Sequence, residues 1–235
     1  MLSIITINFN NLLGLTKTVQ SLREQSYQRF QWVFIDGNST DGSVELAQAF
    51  YRAGDILLSE KDFGIYNAMN KGVRLASGSS ILFLNSGDIF AIPEATELIH
   101  SDQKSSPDLL LYGFKLRGKV RMPKPLWWRY WSMPTSHQAI VYSRHLLVNH
   151  IFYENYRFSA DFEHFLRIIR SQVKVKSIPK CIIINDPYGS DLQLNSVLSE
   201  YRMALVSNGT PLIWAKLVYW LKTLYLNIIL KKYIE

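Results

Sequence analysis

The chain has one cysteine, Cys181, in 235 residues, so it forms neither an intramolecular disulfide nor a cysteine metal cluster. That cysteine stands in the apolar run Lys180-Cys181-Ile182-Ile183-Ile184 and reads as a small buried hydrophobe, not a catalytic thiol. The lack of disulfides fits a reducing compartment. Glycine-rich phosphate loops are missing too. No G-x-G-x-x-G follows the first apolar run, and no G-x-x-x-x-G-K precedes a Ser or Thr anywhere. The glycine cradles of hydride-transfer dinucleotide folds and of P-loop enzymes are thereby excluded, and a phosphate must be held by side chains and metal. There is no internal repeat and no low-complexity linker. The start, MLSIITINFN, has no charged region or cleavage pattern of a signal peptide and reads as a core strand. Acid is scarce: 19 Asp and Glu against 26 Lys and Arg give a net charge of +7. A basic excess suits phosphate-bearing ligands, an anionic membrane or nucleic acid, and the position of the charge has to choose among them.

What is present is an alternation. Leu2 to Phe9 is continuous, apolar and β-branched, as in a strand buried on both faces of a parallel sheet. Leu12 to Gln25 has helical spacing. Phe30 to Ile35 is a second buried strand, Val44 to Arg52 a second helix with Thr40 or Asp41 as its cap, and Ile56 to Ser59 a third strand. Ile65 to Ala76 reads as a third helix, and Ile81 to Leu84 as a fourth strand. The pattern predicts an α/β fold with a doubly wound, mostly parallel central sheet and flanking helices. Ligands bind outside the carboxyl ends of such strands. Here those ends carry Asn8 to Asn10, Asp36 and Asp88, which should line one edge.

These stretches resemble the motifs of family-2 glycosyltransferases. The residues that carry the resemblance are Leu2 to Asn10, then Val33-Phe34-Ile35-Asp36-Gly37-Asn38-Ser39-Thr40-Asp41-Gly42, then Ser59 to Gly72, then Leu84-Asn85-Ser86-Gly87-Asp88. Gly64-Ile65-Tyr66 through Asn70-Lys71-Gly72 resembles the branch that builds bacterial exopolysaccharides such as colanic acid. The likeness is strong over about residues 2 to 90. It is weaker through Ser136-His137-Gln138-Ala139 and Phe158 to Phe162, and absent after about residue 190.

The resemblance implies a GT-A fold in residues 1–205 that binds a nucleoside-diphosphate sugar, a UDP-sugar first, with Mn²⁺ or Mg²⁺ and inverting transfer. Asp36 would accept a hydrogen bond from the base, and Thr6 and Asn8 would lie against base and ribose. Asn10, Asp62, Asn70 and Lys71 would complete the donor or sugar side, and the His137-Gln138 pair would belong to the donor or acceptor pocket. Asp88 would hold the metal as the last residue of a D-x-D motif whose usual first acid is replaced by Asn85 or Gly87. It would then be the only carboxylate left for the ion, a tolerable arrangement because substrate phosphates complete the shell. Asp161 would be the general base, with Glu163 as its substitute. The residues themselves leave more open. Asp161 also suits the N-cap of a helix over Phe162 to Arg170, a lone His137 is often structural, and Lys71 and Arg74 fit a solvated helix face equally well.

Lys115 to Arg129 holds six cations and no acid beside Trp127, Trp128, Tyr130 and Trp131. Single-stranded nucleic acid, a membrane surface, or a loop over an acceptor site would each suit that pattern. Residues 211–235 read as an amphipathic, membrane-associating helix. Spanning a bilayer is close to break-even: a dozen or so apolar residues contribute roughly −6 kcal/mol, and Lys216, Lys222 and Asn227 return about as much. Lys216, Thr223 and Asn227 fall on one stripe with Lys231 nearby, which favours a helix in the interface anchored by Trp214 and Trp220.

The expectation is thus a cytoplasmic glycosyltransferase, peripheral on the inner face of a bacterial membrane. It would use a nucleotide-sugar donor and a growing glycan or lipid-linked glycan acceptor, with no nucleic-acid partner. Two alternatives stand beside it: a catalytically inactive sugar- or nucleotide-binding module, and a sugar nucleotidyltransferase. The second lacks its usual glycine-rich stretch after the first strand.

Overall fold

The structure, a computed structural model, describes residues 1–187 and 194–234, with side chains as far as residue 226 except that of residue 194. The first half follows the alternation. Strands β1 (Leu2–Asn8), β2 (Phe30–Asp36), β3 (Ile56–Ser59) and β4 (Ser80–Phe83) run parallel in the order β3-β2-β1-β4. Helices α1 (Leu12–Arg23), α2 (Ser43–Phe50) and α3 (Ile65–Leu75) connect them. All seven residues of β1 and of β2 are buried, as continuous β-branched and aromatic runs require. Register places Asn8 beside Asp36 and Asp36 beside Ser59, so the polar ends form one edge. Beyond β4 the chain still follows β1, with Leu84 N donating to Ile5 O and Ser86 N to Ile7 O, before the Asp88 turn.

The second half is antiparallel where it joins the first. Strand β8 (Ile140–Ser143) runs against β4, and β6 (Leu109–Leu116) runs against β8. Strand β9 (Val175–Ile184) lies parallel to β6 and pairs with the two-residue β5 (Ile89–Phe90). Strand β7 (Lys119–Arg121) forms a hairpin on β6. The sheet is therefore parallel over β1 to β4 and mixed thereafter, in a GT-A-like mixed α/β arrangement. Two apolar clusters cover its faces. One packs α1, α2 and α4 (Ala95–Asp102) through Leu15, Val19, Leu22, Ala47, Phe50 and Ile99. The other packs α3 with α5 (Arg144–Asn149), α6 (Ala160–Ile168), α7 (Leu194–Ser207) and α8 (Leu212–Ile234).

Helix α8 is bonded into this second cluster through buried Ala215 and packed Val218. Its inward stripe includes Lys222, which is buried. Its outward face is apolar: Ile213 is 81% exposed, Trp214 60% and Trp220 59%. The expected amphipathic division is therefore inverted at Lys222. Lys216 is exposed and Thr223 is half-buried, its hydroxyl bonded to Tyr219 O at 2.9 Å. The side chains of Asn227 and Lys231 lie outside the described residues. Among the described residues no helix is long and apolar enough to cross a membrane.

Candidate active site

A cavity of about 1240 Å³ opens at the carboxyl ends of β1 and β4, and Asp88, Asp161, Asp186 and His137 all line it. Single-ligand sites are about 300–1,000 Å³, so this one has room for two substrates side by side.

Asp88 is held by three elements. Thr18 of α1 donates to Asp88 O at 2.8 Å and accepts from Gly87 N at 3.0 Å, which pins the turn. One carboxylate oxygen, Oδ1, accepts from Asn185 Nδ2 at 3.0 Å and Asp186 N at 2.9 Å. The other oxygen has no hydrogen-bond partner among the described residues. The sheet explains this meeting: Ile89 is paired with Ile184, so the residues on either side, Asp88 and Asn185, become neighbours. Gly87 has a φ of +104° and lies so close to the Asp186 carboxylate that a Cβ there would stand 2.3 Å from Asp186 Oδ2. Burial raises the Asp88 pKa to about 6, with the Asp186 charge adding to the rise against the hydrogen bonds that lower it.

Two corrections follow. Asp88 is not the only carboxylate here, because Asp186 shares its wall of the cavity. And the residue two positions before Asp88 is Ser86, so a serine occupies the first position of the D-x-D, not Asn85 or Gly87. Asp186 was missed because it is about a hundred residues away in a stretch with no motif. The signal was available only as an Asn-Asp pair ending the apolar run Cys181 to Ile184.

Asp161 is in the first turn of α6, whose N-cap is Ser159. Its carboxylate is not a cap; Oδ1 accepts from Tyr66 OH at 3.1 Å. Burial raises its pKa to about 6, and hydrogen bonds including that of Tyr66 limit the rise. Glu163 is excluded as a substitute base. It is buried, bonded to Arg167 Nε at 3.1 Å, and does not line the cavity. The segment before α6 is fixed from α7: Glu200 accepts from Arg157 N, Phe158 N and Ser159 N at 2.9, 2.9 and 2.8 Å. Glu200→Ala should lower stability by about 2 kcal/mol, since hydrogen bonds to a charged group contribute about 1.5–3 kcal/mol and solvent screens this half-exposed one. An unchanged melting temperature would refute that anchoring.

His137 lies in the cavity wall with its ring 4.8 Å from Phe83 and its Nδ1 3.1 Å from Tyr142 OH. Burial lowers its pKa to about 3, so it is neutral at working pH and is no proton shuttle. Its Nε2 is buried with no partner, a polar atom available to a ligand.

The other expected residues lie outside the cavity lining, and several are structural. Thr6 is fully buried and accepts the indole N–H of Trp32 at 3.0 Å, so its side chain does not reach a nucleotide. Asn70 is also fully buried: it bonds Phe152 O and N at 2.9 and 3.0 Å and Glu154 at 2.8 Å, clamping the loop before α6. Lys71 pairs with Glu60 at 2.8 Å and donates to Lys61 O at 3.0 Å. The side chains of Thr6 and Asn70 are thus turned away from any ligand, and Lys71 has partners of its own outside the cavity.

Asp36, Asn8, Asn10 and Asp62 do gather at one place, the ends of β1 to β3. Asp36 accepts from Asn8 Nδ2, Ser39 N, Ser39 Oγ and Ser59 Oγ at 2.9, 2.8, 2.6 and 2.7 Å. Burial alone would raise its pKa, but these bonds outweigh it and hold the carboxyl below the ordinary range. A base edge would have to replace one of them. Asn10, at a φ of +46°, accepts from Thr40 N at 3.0 Å. Asp62 lies over Gly37, where a Cβ would come 2.7 Å from its Oδ2. Phe9, 65% exposed beside the same glycine, adds an aromatic face that sequence reading did not single out. Cys181 is half-buried, with its thiol pushed up by burial.

Two groups of polar residues at the strand ends, beside a sheet parallel in one half and mixed in the other, define a GT-A-type glycosyltransferase. The family model for "Glycosyl transferase family 2" matches residues 3–165, and the chain belongs to that family. An uncharacterized glycosyltransferase of Mycobacterium tuberculosis is 32% identical over 213 residues, covering 85% of this chain and 81% of the relative. A PGL/p-HBAD biosynthesis glycosyltransferase of Mycobacterium bovis is 31% identical over 158 residues, covering 62% and 60%. Among solved structures, S. aureus TarS 1-349 in complex with UDP-GlcNAc has a TM-score of 0.68 at 17% identity, covering 93% of this chain and 70% of that one. The mannosyltransferase PcManGT from Pyrobaculum calidifontis, in complex with GDP-Man and Mn2+, has a TM-score of 0.70 at 12% identity, covering 93% and 69%. These two likenesses concern the fold.

Proposed function

We propose that this glycosyltransferase moves a sugar, with inversion, from a nucleoside diphosphate to a hydroxyl of a growing, lipid-linked surface glycan such as a bacterial exopolysaccharide. The observation that carries the reading is three carboxylates, Asp88, Asp161 and Asp186, on one cavity beside the polar edge of β1 to β3. Asp36, Asn8, Asn10 and Asp62 take the nucleoside end, with Phe9 against the base. Asp161 is the base. Its neighbour Tyr66 orients it, and at neutral pH it is ionised and able to accept the proton of an attacking hydroxyl.

A divalent cation fits the floor of the cavity. Asp88 and Asp186 offer hard carboxylate oxygens, and Asn85 Oδ1, Ser86 Oγ and Asn185 Oδ1 are buried there without partners. No three or more His, Cys, Asp or Glu among the described residues are grouped so that they could hold a metal ion by themselves, so phosphate oxygens and water would complete the shell of Mg²⁺ or Mn²⁺. Such an ion supplies neutralisation of the charge that develops on a diphosphate leaving group.

The outward face of α8 supports peripheral binding to the inner surface of the membrane. Exposed Trp and Leu with a basic chain suit anionic lipid. Trp214→Ser with Trp220→Ser should reduce co-sedimentation with phosphatidylglycerol vesicles severalfold at unchanged melting temperature; undiminished sedimentation would reject that face. For the donor, UDP, GDP and dTDP with Mn²⁺ should be compared by thermal shift. At 100 Kd a ligand stabilises by about 2.7 kcal/mol, so the right base gives a clear rise. No shift from any of the three would refute the donor assignment.

A further inference from the structure

The six cations of Lys115 to Arg129 have a definite place. Gly113 of β6 lets β7 come close: a Cβ there would lie 2.8 Å from Met122 Sδ and 3.0 Å from Arg121 O. After β7 the chain loops out through Trp127 and Trp128 and returns, with Lys124 N donating to Pro134 O at 2.8 Å. Hairpin and loop together make one wall of the cavity, lined by Arg121, Met122, Lys124, Trp128 and Trp131. Of the three roles the sequence left open for this segment, the covering wall is the one its position matches.

Arg117 and Arg129 have protein partners, donating to Pro187 O at 3.2 Å and Leu126 O at 3.0 Å; the two cations that line the cavity are placed differently. Arg121 lies 5.8 Å from the Phe114 ring and Lys124 5.8 Å from the Trp128 ring, and neither has an acidic partner among the described residues. The cavity thus has an acidic floor, Asp88, Asp161 and Asp186, and a basic, aromatic wall. A cation held by Asp88 and Asp186 would already meet the donor's diphosphate. Two further cations call for a second anion. Trp131 also ties the wall to α8: Lys222 Nζ lies 5.6 Å from its ring and 4.2 Å from that of Tyr201, another lining residue. The wall therefore adjoins the helix whose outer face is apolar.

We propose that Arg121 and Lys124, with Trp128 and Trp131, form an acceptor subsite for a phosphate-type anion, such as the diphosphate joining a glycan to its lipid. Guanidinium and ammonium groups bind phosphate oxygens through charge-assisted hydrogen bonds. The flanking indoles offer flat apolar faces to the sugar or the first lipid carbons. The assignment deepens the glycosyl-transfer reading above, which supplies the acceptor. The binding it claims is measurable without turnover.

The test titrates farnesyl diphosphate, inorganic pyrophosphate and farnesol into the full chain, followed by tryptophan fluorescence. EDTA is present so that no diphosphate binds through a metal on the floor. Farnesyl diphosphate should bind, and Arg121→Gln with Lys124→Gln should weaken it by tenfold or more, whereas Asp88→Asn should not. Arg121→Lys with Lys124→Arg should recover part of the loss. Pyrophosphate binding as tightly as farnesyl diphosphate, with the same loss in the double variant, would support the anion site and take the lipid out of it. Farnesol binding as tightly as the diphosphate, or a double variant equal to wild type, would overturn the proposal. So would a loss confined to Asp88→Asn. The nucleotide thermal shift with Mn²⁺ is a separate readout: its failure refutes the donor reading and leaves the wall's binding standing.

Discussion

Asp161→Asn is expected to lower kcat by about 10²–10⁴-fold, the range for loss of a positioned general base, while nucleotide affinity stays unchanged. Asparagine keeps the shape of the side chain, and Tyr66 OH, now 3.1 Å from Oδ1, can still donate to the amide oxygen. What is lost is the ability to take the acceptor proton. Calorimetry of the nucleotide with Mn²⁺ separates the two effects, and transfer retained at the wild-type rate would remove Asp161 from the chemistry. Glu163 cannot inherit the role, because Arg167 and the protein interior already hold it.

Acid gives the same residue a second signature. Its pKa is raised from 3.8 to about 6. Between those values the folded state binds more protons than the unfolded one, so this group's contribution makes stability fall as pH rises. Activity should move the other way, rising through pH 6 and falling about tenfold per unit below it. Opposite slopes of melting temperature and rate across pH 4 to 6 would be hard to obtain from simple acid unfolding. In Asp161→Asn its share of the stability slope should vanish.

The parallel half of the fold was legible because its information is local. β1, β2 and β4 are largely apolar, β-branched or aromatic runs, each ending abruptly in Asn or Asp, and α1 to α3 fall within two or three residues of the expected spans. The site was less legible in two ways. Thr6, Asn70 and Lys71 stand inside or beside the motifs, but their side chains turn into Trp32, the Phe152 loop and Glu60. A motif fixes a residue's position along the chain without saying which way its side chain faces. Asp186, Tyr66 and Glu200 were given no role for a different reason. Each reaches the site by a contact across roughly 40 to 100 residues, set by β9 pairing with β5, by α3 meeting α6 and by α7 packing on α6. Helix α8 shows a third case. Its composition announced a membrane surface, but only packing could reveal that Lys222 points inward, its pKa lowered by burial to about 7.

Asp88→Asn is expected to cut turnover by about 100-fold or more, at or beyond the roughly 10–100-fold that loss of even an outer-shell partner of a metal ligand costs, and to raise the melting temperature. At pH 7 the folded protein holds an ionised Asp88 in a place where burial has lifted its pKa from 3.8 to about 6. That is roughly 3 kcal/mol against folding. Asparagine removes the charge and still offers an oxygen to Asn185 Nδ2 and Asp186 N. A gain of several degrees at pH 7 should shrink as pH falls through 6 and vanish only below about pH 3, where the wild-type acid is protonated in both states. Asp186→Asn sharpens the assignment. If Asp88 alone held the cation, the thermal shift produced by Mn²⁺ with a nucleoside diphosphate would survive that substitution intact. If the two carboxylates share the ion, the shift should shrink by a large fraction in Asp186→Asn and disappear in Asp88→Asn. Equal shifts in wild type and both variants would move the metal away from this floor. A stabilised, inactive Asp88→Asn protein would show that the buried charge is kept at the expense of stability because the reaction needs it there.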